Sequence, residues 1–242
     1  MRTTPPFTSF WFDCDSTLSS VEGIDVLSER VSEDLRNDIQ ELTRSAMDGE
    51  LPLAEVYEQR LAAIAPGNQD LEAAGQSYIQ NLVPYARETL AALASLHKTV
   101  GIISGGLRQP VLMLARHLEV PAERVFAVQA LVDEDGHYLG FDRQSKLWRN
   151  GGKPAVLQSL PEDQRPLLFV GDGITDLEAK DVVDLFVGFG GVARRKAVQE
   201  NADAYISENS LLPVLDIGLT LEEKQTLAQD QRFRHLLPKQ GQ

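Results

Sequence analysis

Four acidic residues of this 242-residue chain have the spacing of a metal site. Asp13 and Asp15 come directly after an apolar run at Ser9–Phe12, and Asp172 and Asp176 come just after a second run. Residues i and i+2 leave a strand on the same side, where two carboxylates repel each other unless a cation or a proton lies between them. Four carboxylates in one crevice therefore predict a divalent cation. Magnesium suits them, because it takes carboxylate, water and phosphate oxygens as ligands.

Two other interpretations of Asp13 and Asp15 compete with a magnesium site: a plain turn and a calcium-binding loop. Taken alone, the pair is equally well explained as two turn residues after a strand. A calcium-binding loop is excluded, because it requires an acidic residue or asparagine where Thr17 stands and glycine where Leu18 stands.

Phosphate-binding groups follow a third apolar run, Thr99–Ile103. Ser104, Gly105 and Gly106 offer a hydroxyl and unobstructed backbone N–H groups at an expected helix start, an arrangement that binds anions. A plain tight turn explains the tripeptide as well. Lys153 follows two glycines at another expected helix start, where it either balances the carboxylates and contacts phosphate or is a solvated surface lysine.

The elements that must position these residues alternate along the chain. Near-continuous apolar runs predict strands buried on both faces, as in parallel sheets. Helical patterns begin near Pro84, Leu107, Lys153, Ile174 and Val192. The alternation predicts an α/β, doubly wound parallel sheet of Rossmann-like type, which binds ligands at the carboxyl ends of its strands. The predicted strands are Ser9–Phe12, Thr99–Ile103, Leu167–Val170, Asp184–Val187 and Ala202–Ile206.

One segment interrupts the alternation. No strand is predicted from Val21 to Val83, and about sixty helical residues are too long for a crossover, which needs a dozen or so. We expect a small helical cap at 21–83, inserted after the first strand into a catalytic core formed by 1–20 and 84–218. A helical tail at 219–242 begins with a capping-box pattern, and a hairpin turns at Asp135-Gly136. The predicted cap helices are 22–30, 33–47, 52–64 and 70–82.

Composition restricts the partners. The formal net charge of −13 makes nucleic acid a poor partner, because phosphate backbones need clustered Lys and Arg. An anionic small molecule needs a local positive centre, either a metal or a few buried cations. Cys14 is the single cysteine, so an intramolecular disulfide is excluded. Neither a signal peptide nor a membrane span is apparent, so we expect a cytoplasmic protein without a membrane partner.

Four segments occur in an order typical of a known family: Phe12–Thr17, Ser104–Gly106, Lys153 and Gly171–Asp176. They resemble the motifs of the haloacid-dehalogenase-like hydrolases, and most closely those of the phosphoserine phosphatase family, over roughly residues 8–210. Each motif alone is weak, but all four in order are specific. Further matching segments are Glu22–Asp25, Ala46–Gly49, Arg60, Gly140–Asp142 and Gly188–Gly191 with Arg195.

The resemblance implies a role for each matching residue. Asp13 is implied to be the nucleophile and a magnesium ligand. Asp15 is implied to be the general acid/base, with its backbone carbonyl on the metal. Asp172 is implied to be the third metal ligand, supported by Asp176. The implied phosphate-binding residues are Ser104, Gly105, Gly106 and Lys153. The implied substrate-binding residues are Glu22, Met47, Arg60, Thr175 and Arg195, of which Glu22 and Arg60 would contact the amino and carboxylate groups of serine.

The implied reaction is magnesium-dependent hydrolysis of a small phosphomonoester through an aspartyl-phosphate, with O-phospho-L-serine converted to L-serine in serine biosynthesis. Two departures bear on it. Leu53 stands where some relatives carry phenylalanine, and the chain after about Leu212 has no counterpart in the family. The oligomeric state is not predicted.

Several alternatives remain at this point. A phosphotransferase would use the same Asp13 intermediate and deliver phosphate to an alcohol such as homoserine, and another small phosphomonoester could be the substrate. A receiver-type signalling domain also has an acidic pocket, but it is about half this length. A non-catalytic binding module would lack the nucleophile. Gly188–Gly191 lacks the third glycine of a dinucleotide-binding loop and follows a late strand.

Overall fold

The structure, a computed structural model, describes residues 6–47 and 53–237. Within these ranges the chain forms eight strands and eleven α-helices. The strands are β1 (Ser9–Phe12), β2 (Thr99–Leu107), β3 (Val125–Val128), β4 (Ala130–Val132), β5 (Tyr138–Phe141), β6 (Leu167–Gly171), β7 (Leu185–Phe189) and β8 (Ala204–Ile206). The helices are α1 (Gly23–Ser28), α2 (Glu33–Met47), α3 (Leu53–Ile64), α4 (Asn68–Gln80), α5 (Ala86–Ser95), α6 (Arg108–His117), α7 (Gly152–Gln158), α8 (Ile174–Leu177), α9 (Lys196–Asn201), α10 (Pro213–Gly218) and α11 (Leu221–Gln229).

Six strands form one parallel sheet in the order β3-β2-β1-β6-β7-β8. From β1 the chain moves outward to β2 and β3, and it then returns to the other side of β1 to form β6. The strand order therefore reverses between β1 and β6, where Phe12 pairs with Val170. This is the predicted doubly wound, Rossmann-like fold, in which ligands bind at such a reversal.

The central strands are apolar throughout because both faces of the sheet are covered. Phe10 and Phe12 of β1 belong to one core, which includes Leu90 of α5. Trp11 points into a second core, which includes Leu157 of α7. Successive strand residues alternate between faces, so a strand between two helical layers reads as one continuous apolar run.

The sheet and one of its flanking helices differ from the prediction in three respects. β3 is a sixth strand that the sequence does not predict, because it is short, half-buried and at the sheet edge. β2 continues past its predicted end at Ile103, so Ser104–Gly106 lie in the last part of β2 and precede α6 rather than opening it. α9 begins at Lys196, later than the predicted start near Val192.

Residues 21–83, called the insert below, contain α1 to α4 and no named strand in their described part. Its two ends leave the core together, because Ser19 forms an isolated bridge with Leu82. α4 packs on α6, and Gly75 lies so close to Met113 that a Cβ atom at Gly75 would be 2.5 Å from the sulfur. The predicted helical cap after the first strand is therefore confirmed. The exact domain limits stay a prediction.

The predicted hairpin is formed by β4 and β5 and turns at Gly136. The carbonyl oxygen of Gly136 accepts a hydrogen bond of 2.9 Å from the backbone N–H of Asn68, at the start of α4. The ring of Phe141 packs edge-on against Tyr57 of α3 and against Trp148, with centroid distances of 5.3 Å. The hairpin thus connects the insert to the segment that precedes α7.

The C-terminal part begins with the predicted capping box. The Thr220 hydroxyl accepts a hydrogen bond from the Glu223 backbone N–H at 3.2 Å, and the Glu223 carboxylate accepts one from the Thr220 N–H at 2.9 Å. Leu227, Phe233 and Leu236 are buried in the same core as Phe10. The tail is therefore part of the core packing.

No α-helix within residues 6–47 or 53–237 combines the length and the apolar character that crossing a membrane requires. The cytoplasmic location stays a prediction.

Candidate active site

A cavity of about 760 Å³ lies between the insert and the carboxyl ends of β1, β2 and β6. Residues that are far apart in sequence meet here because the ends of parallel strands share one edge of the sheet. Ser104 is not part of the cavity wall, and the side chain of Met47, like that of Leu53, lies outside the described residues. The predicted site residues in the wall are Asp13, Asp15, Glu22, Arg60, Gly105, Gly106, Lys153, Asp172, Thr175, Asp176 and Arg195.

Three buried carboxylates form the centre of the site. Asp13, Asp172 and Asp176 each offer an oxygen that lies within 4.8 Å of the other two. Asp13 continues the register of β1, because its backbone N–H donates to the carbonyl oxygen of Val170 at 2.9 Å. Burial raises the pKa of Asp13 well above its ordinary value and the pKa of Asp172 to about 7. For both groups the negative charge of Asp176 is the second largest cause. Such a cluster favours a bound cation, as the sequence predicts.

Lys153 is the cation within this cluster. Its ammonium group donates to Asp13 Oδ1 at 2.6 Å and to Asp176 Oδ1 at 2.5 Å, and the residue is 6% exposed. Burial alone would lower the pKa of this lysine, but the two carboxylates raise it above its ordinary value. The lysine is therefore charged and lies inside the site rather than on the surface.

The carboxylate of Asp15 lies apart from the three-carboxylate cluster. Its Oδ1 accepts hydrogen bonds from the backbone N–H of Gly23 at 2.6 Å and from the hydroxyl of Tyr78 at 2.7 Å. Burial, followed by the charge of Glu22, raises the pKa of Asp15 to about 6, although both hydrogen bonds oppose this rise. A carboxyl group with such a pKa can both donate and accept a proton near neutral pH.

Ser104 reaches the site from behind the cavity wall. The residue is fully buried, and its hydroxyl lies 3.3 Å from Asp15 Oδ2. The same hydroxyl oxygen accepts a hydrogen bond of 2.9 Å from the backbone N–H of Gly106. Gly105 and Gly106 leave backbone exposed to the cavity without side chains, which suits a site for phosphate oxygens.

Glu22, Arg60, Thr175 and Arg195, which are predicted to contact substrate, line the same cavity as the carboxylates. Arg195 donates to Asp172 Oδ2 at 2.9 Å, and its guanidinium lies 3.6 Å from Glu22 Oε1. Glu22 also accepts a hydrogen bond of 2.6 Å from the Ser16 hydroxyl. Arg60 enters from α3, where burial lowers its pKa, although Tyr57 and nearby acids oppose this shift. Paired acids and arginines of this kind can bind a ligand that carries both charges.

Among the residues that the sequence patterns do not assign to the site, Tyr78 and Thr17 contact predicted site residues. Tyr78 contacts Asp15, but in the sequence it is one apolar residue of a helical pattern. The hydroxyl of Thr17 lies 3.4 Å from Asp172 Oδ1, although Thr17, the last residue of the first motif, has no role predicted from the sequence. Neither position carries a local signal that would distinguish it from a packing or turn residue.

Three comparisons relate the chain to known proteins. A family model described as haloacid dehalogenase-like hydrolase matches residues 10–180. The chain is 36% identical to a phosphoserine phosphatase of Bos taurus, over 81% of this chain and 88% of that one. It is 35% identical to a chloroplastic phosphoserine phosphatase of Arabidopsis thaliana, over 85% and 70% of the two chains. A solved phosphoserine phosphohydrolase-like protein from Francisella tularensis has a TM-score of 0.73 at 21% identity, covering 84% and 96%, which supports the fold alone.

Proposed function

This chain belongs to the haloacid dehalogenase-like hydrolases and is a phosphoric monoester hydrolase, and from this premise we propose that it hydrolyses O-phospho-L-serine to L-serine and phosphate. The observation that carries the proposal is the composition of one cavity wall. The buried Asp13–Lys153 pair and the side chains of Glu22 and Arg60 line the same cavity. The first pair suits a phosphoryl group, and the second suits the ammonium and carboxylate of an amino acid.

In the first step, a carboxylate oxygen of Asp13 forms a bond to phosphorus while the bond from phosphorus to the serine oxygen breaks. The serine oxygen takes the proton of Asp15, so L-serine leaves as an alcohol and Asp13 carries the phosphoryl group. A raised pKa of about 6 allows Asp15 to hold that proton in part of the molecules near neutral pH.

In the second step, a water oxygen forms a bond to phosphorus while the bond to Asp13 breaks. Asp15, now a carboxylate, accepts a proton from this water, so phosphate leaves and both aspartates return to their starting states. Lys153 donates hydrogen bonds to phosphoryl oxygens in both steps, and Ser104 and the backbone of Gly105 and Gly106 add donors on the β2 side.

Magnesium is the cofactor of the proposed reaction. Asp13, Asp172 and Asp176 offer buried carboxylate oxygens close together, a donor set that suits this hard cation. We propose Asp13, Asp172 and the backbone carbonyl of Asp15 as ligands, with Asp176 supporting them. When bound, the ion neutralises charge on the phosphoryl oxygens and withdraws electron density from phosphorus. The remaining positive charge comes from Lys153.

Substrate selection rests on the groups that phosphoserine has and simpler esters lack. We assign the ammonium to Glu22 and the carboxylate to Arg60, with Met47, Thr175 and Arg195 as further contacts. A family member with this cavity is neither a receiver-type domain nor a binding module without a nucleophile. Transfer to an alcohol acceptor uses the same intermediate, so it remains the competing reaction.

The proposal is tested by phosphate release from a panel of phosphomonoesters with magnesium present. Phosphoserine should have the highest kcat/KM, above glycerol phosphate and p-nitrophenyl phosphate, because both of these compounds lack the ammonium and the carboxylate. Excess chelator should stop turnover, magnesium should restore it, and calcium should restore it poorly, because its coordination is larger and looser. Full activity in chelator would contradict the metal assignment. Added homoserine that lowers free phosphate and becomes phosphorylated would favour phosphotransfer.

A further inference from the structure

The two oxygens of the Asp15 carboxylate have different surroundings. Oδ1 accepts two short hydrogen bonds, from the Gly23 N–H at 2.6 Å and from the Tyr78 hydroxyl at 2.7 Å. Within the described part of the chain, Oδ2 accepts one longer hydrogen bond, of 3.3 Å, from the Ser104 hydroxyl. Hydrogen bonds to a charged acceptor are strong at the shorter distances, so Oδ1 is held while Oδ2 is available for exchange.

Both donors to Oδ1 belong to the insert, although Asp15 itself follows β1. Gly23 begins α1, and Tyr78 lies in the last turns of α4. Tyr78 is 1% exposed, so the packing around its ring holds the hydroxyl against Asp15, at the wall of the cavity. We infer that Tyr78 is a positioning residue, which fixes Oδ1 of Asp15 and leaves Oδ2 as the oxygen that exchanges protons. This inference rests on the proposed function of Asp15.

The surrounding glycines are consistent with packing built around this hydroxyl. A Cβ atom at Gly23 would be 2.2 Å from the Tyr78 hydroxyl oxygen. A Cβ atom at Gly106 would be 3.1 Å from Asp15 Oδ2 and 3.3 Å from the same hydroxyl. A methyl group at Gly23 would therefore displace the hydroxyl from Asp15. A phenylalanine ring would fill the core at position 78 equally well, so the hydroxyl serves the contact rather than the packing.

The contact has a defined consequence for the two proton transfers. With Oδ1 held by two donors, the carboxyl group cannot rotate about its Cβ–Cγ bond without breaking both bonds. The proton then leaves from Oδ2 to the serine oxygen in the first step, and it returns to Oδ2 from water in the second. The position of Oδ2 depends on α4, so the insert sets the geometry of proton transfer in the core.

Tyr78→Phe tests the inference, because it removes the hydroxyl and keeps the ring. The constant kcat/KM reports steps up to loss of the leaving group. The serine oxygen needs a proton to leave and a nitrophenolate does not, so kcat/KM for phosphoserine should fall about 10-fold or more. For p-nitrophenyl phosphate it should change less than about two-fold. An equal loss for both substrates, or no loss for phosphoserine, would overturn the inference.

Matched variants keep the test interpretable. Tyr205→Phe is the control, because its hydroxyl is buried with no hydrogen-bond partner among the described residues and it lies outside the cavity wall. The value of kcat/KM for each of the two substrates should be unchanged in that variant. Gly23→Ala keeps the tyrosine but forces its ring to shift, which moves the hydroxyl away from Asp15. It should therefore reproduce the substrate-dependent loss even if Tyr78→Phe folds poorly. A Gly23→Ala protein without that pattern would contradict the inference.

Failure of the proposed function gives a different result. If the wild-type protein hydrolyses p-nitrophenyl phosphate but not phosphoserine, the substrate assignment is wrong. The Tyr78 comparison is then made with the alkyl phosphate that the wild-type protein hydrolyses fastest, since every alkoxide leaving group needs the same proton. A wild-type protein that hydrolyses no phosphomonoester would overturn both.

Discussion

Lys153 lies between two carboxylates, and this arrangement sets the charge that the site can hold. Six cationic and five acidic residues line the cavity of a chain whose formal net charge is −13. The cations are thus concentrated where the sequence requires a local positive centre for an anionic substrate. Low dielectric around buried groups strengthens their interaction with a phosphoryl group. The cationic residues are Arg60, Arg149, Lys153, Arg194, Arg195 and Lys196.

Asp13→Asn should abolish turnover, because an amide is not a nucleophile at phosphorus and cannot form the aspartyl-phosphate. The measurement is phosphate release, together with acid quenching in the presence of labelled substrate. The wild-type protein should yield an acid-stable phosphoenzyme that hydroxylamine cleaves, and the variant should yield none. Substantial turnover by a folded Asp13→Asn protein would show that Asp13 is not the nucleophile.

Glu22→Gln and Arg60→Ala should change substrate preference more than phosphoryl transfer. Removing one partner of a desolvated charge pair typically costs ~2–5 kcal/mol, so kcat/KM for phosphoserine should fall roughly 30-fold or more. The effect on p-nitrophenyl phosphate should be much smaller, because it has neither an ammonium nor a carboxylate. The ratio of the two constants is the observable, since losses in folding or metal binding cancel in it.

Two insert residues outside the cavity wall provide the controls for this ratio. Glu29→Gln changes an exposed acid just after α1. Arg36→Ala removes an arginine that donates to the backbone carbonyls of Ser28 and Glu29. Neither should change the ratio. If Glu22→Gln and Arg60→Ala lower kcat/KM equally for both substrates, these residues are structural and the phosphoserine assignment loses its main support.

At the scale of elements, α4 connects three parts of the molecule. Its first residue, Asn68, donates to the hairpin at Gly136, and its middle packs on α6 through Gly75. Near its C-terminal end, Tyr78 contacts Asp15. A displacement of α4 would therefore disturb the hairpin and Asp15, the proposed acid/base group, together. The insert is thus linked to the proposed active site by hydrogen bonds as well as by apolar packing.

The start of α11 is held by charge. Lys98 donates to the Glu223 carboxylate and, at 2.7 Å, to the carbonyl oxygen of Phe7. Although burial raises the pKa of Glu223, the bonds from Lys98 and the Thr220 backbone lower it below its ordinary value. A carboxyl group whose pKa is lower in the folded than in the unfolded state stabilises the protein above its unfolded pKa, and this contribution is lost as pH falls through the folded pKa.

Glu223→Gln should therefore lower the free energy of unfolding near pH 7 by about 1 kcal/mol. The difference from the wild-type protein should shrink as the pH falls below the ordinary pKa of glutamate, 4.5, because protonation of Glu223 then leaves the side chain at this position neutral in the wild type as it is in the variant. Urea unfolding at a series of pH values measures it. Glu222→Gln is the matched control, since Glu222 is exposed in the same first turn of α11. If both substitutions lower the free energy of unfolding equally at every pH, the loss comes from the interaction of each charge with the helix dipole and not from the Lys98 contact.

At the scale of the whole molecule, the tail completes one of the two cores. Leu227, Phe233 and Leu236 are at most 7% exposed and pack in the core that contains Phe10 and Phe12. Burying one such side chain is worth about 1.5–3 kcal/mol, and a domain has a total stability of roughly 5–15 kcal/mol. The tail therefore contributes a large share of the stability, although none of its described residues lines the cavity.

Removal of residues 219–242 should lower the melting temperature and the yield of soluble protein far more than kcat per folded molecule. The folded fraction is counted from the phosphoenzyme formed in a single turnover, and kcat is normalised to it. A soluble, folded truncation that forms no phosphoenzyme would show instead that the tail acts on the site.

Local patterns determine much of this protein. Apolar runs that end in Asp13, Ser104 and Asp172 predict strands whose carboxyl ends share one sheet edge, so the convergence of these residues follows from sequence. Thr220 and Glu223 predict the start of α11, because a capping box involves neighbouring residues only. In both cases the relevant contacts are either local or imposed by parallel strand order.

Only the tertiary structure decides the contacts that depend on how whole elements are placed. β3 becomes a strand because β2 offers it an edge, whereas Val125–Val128 alone is an ambiguous short apolar run. The sequence places Tyr78 on a helix but not near Asp15, because that contact depends on the rigid position of α4 over the sheet. The same holds for the carboxylates around Lys153, since hydrogen bonds of 2.5–2.6 Å require a precision that strand order alone does not supply.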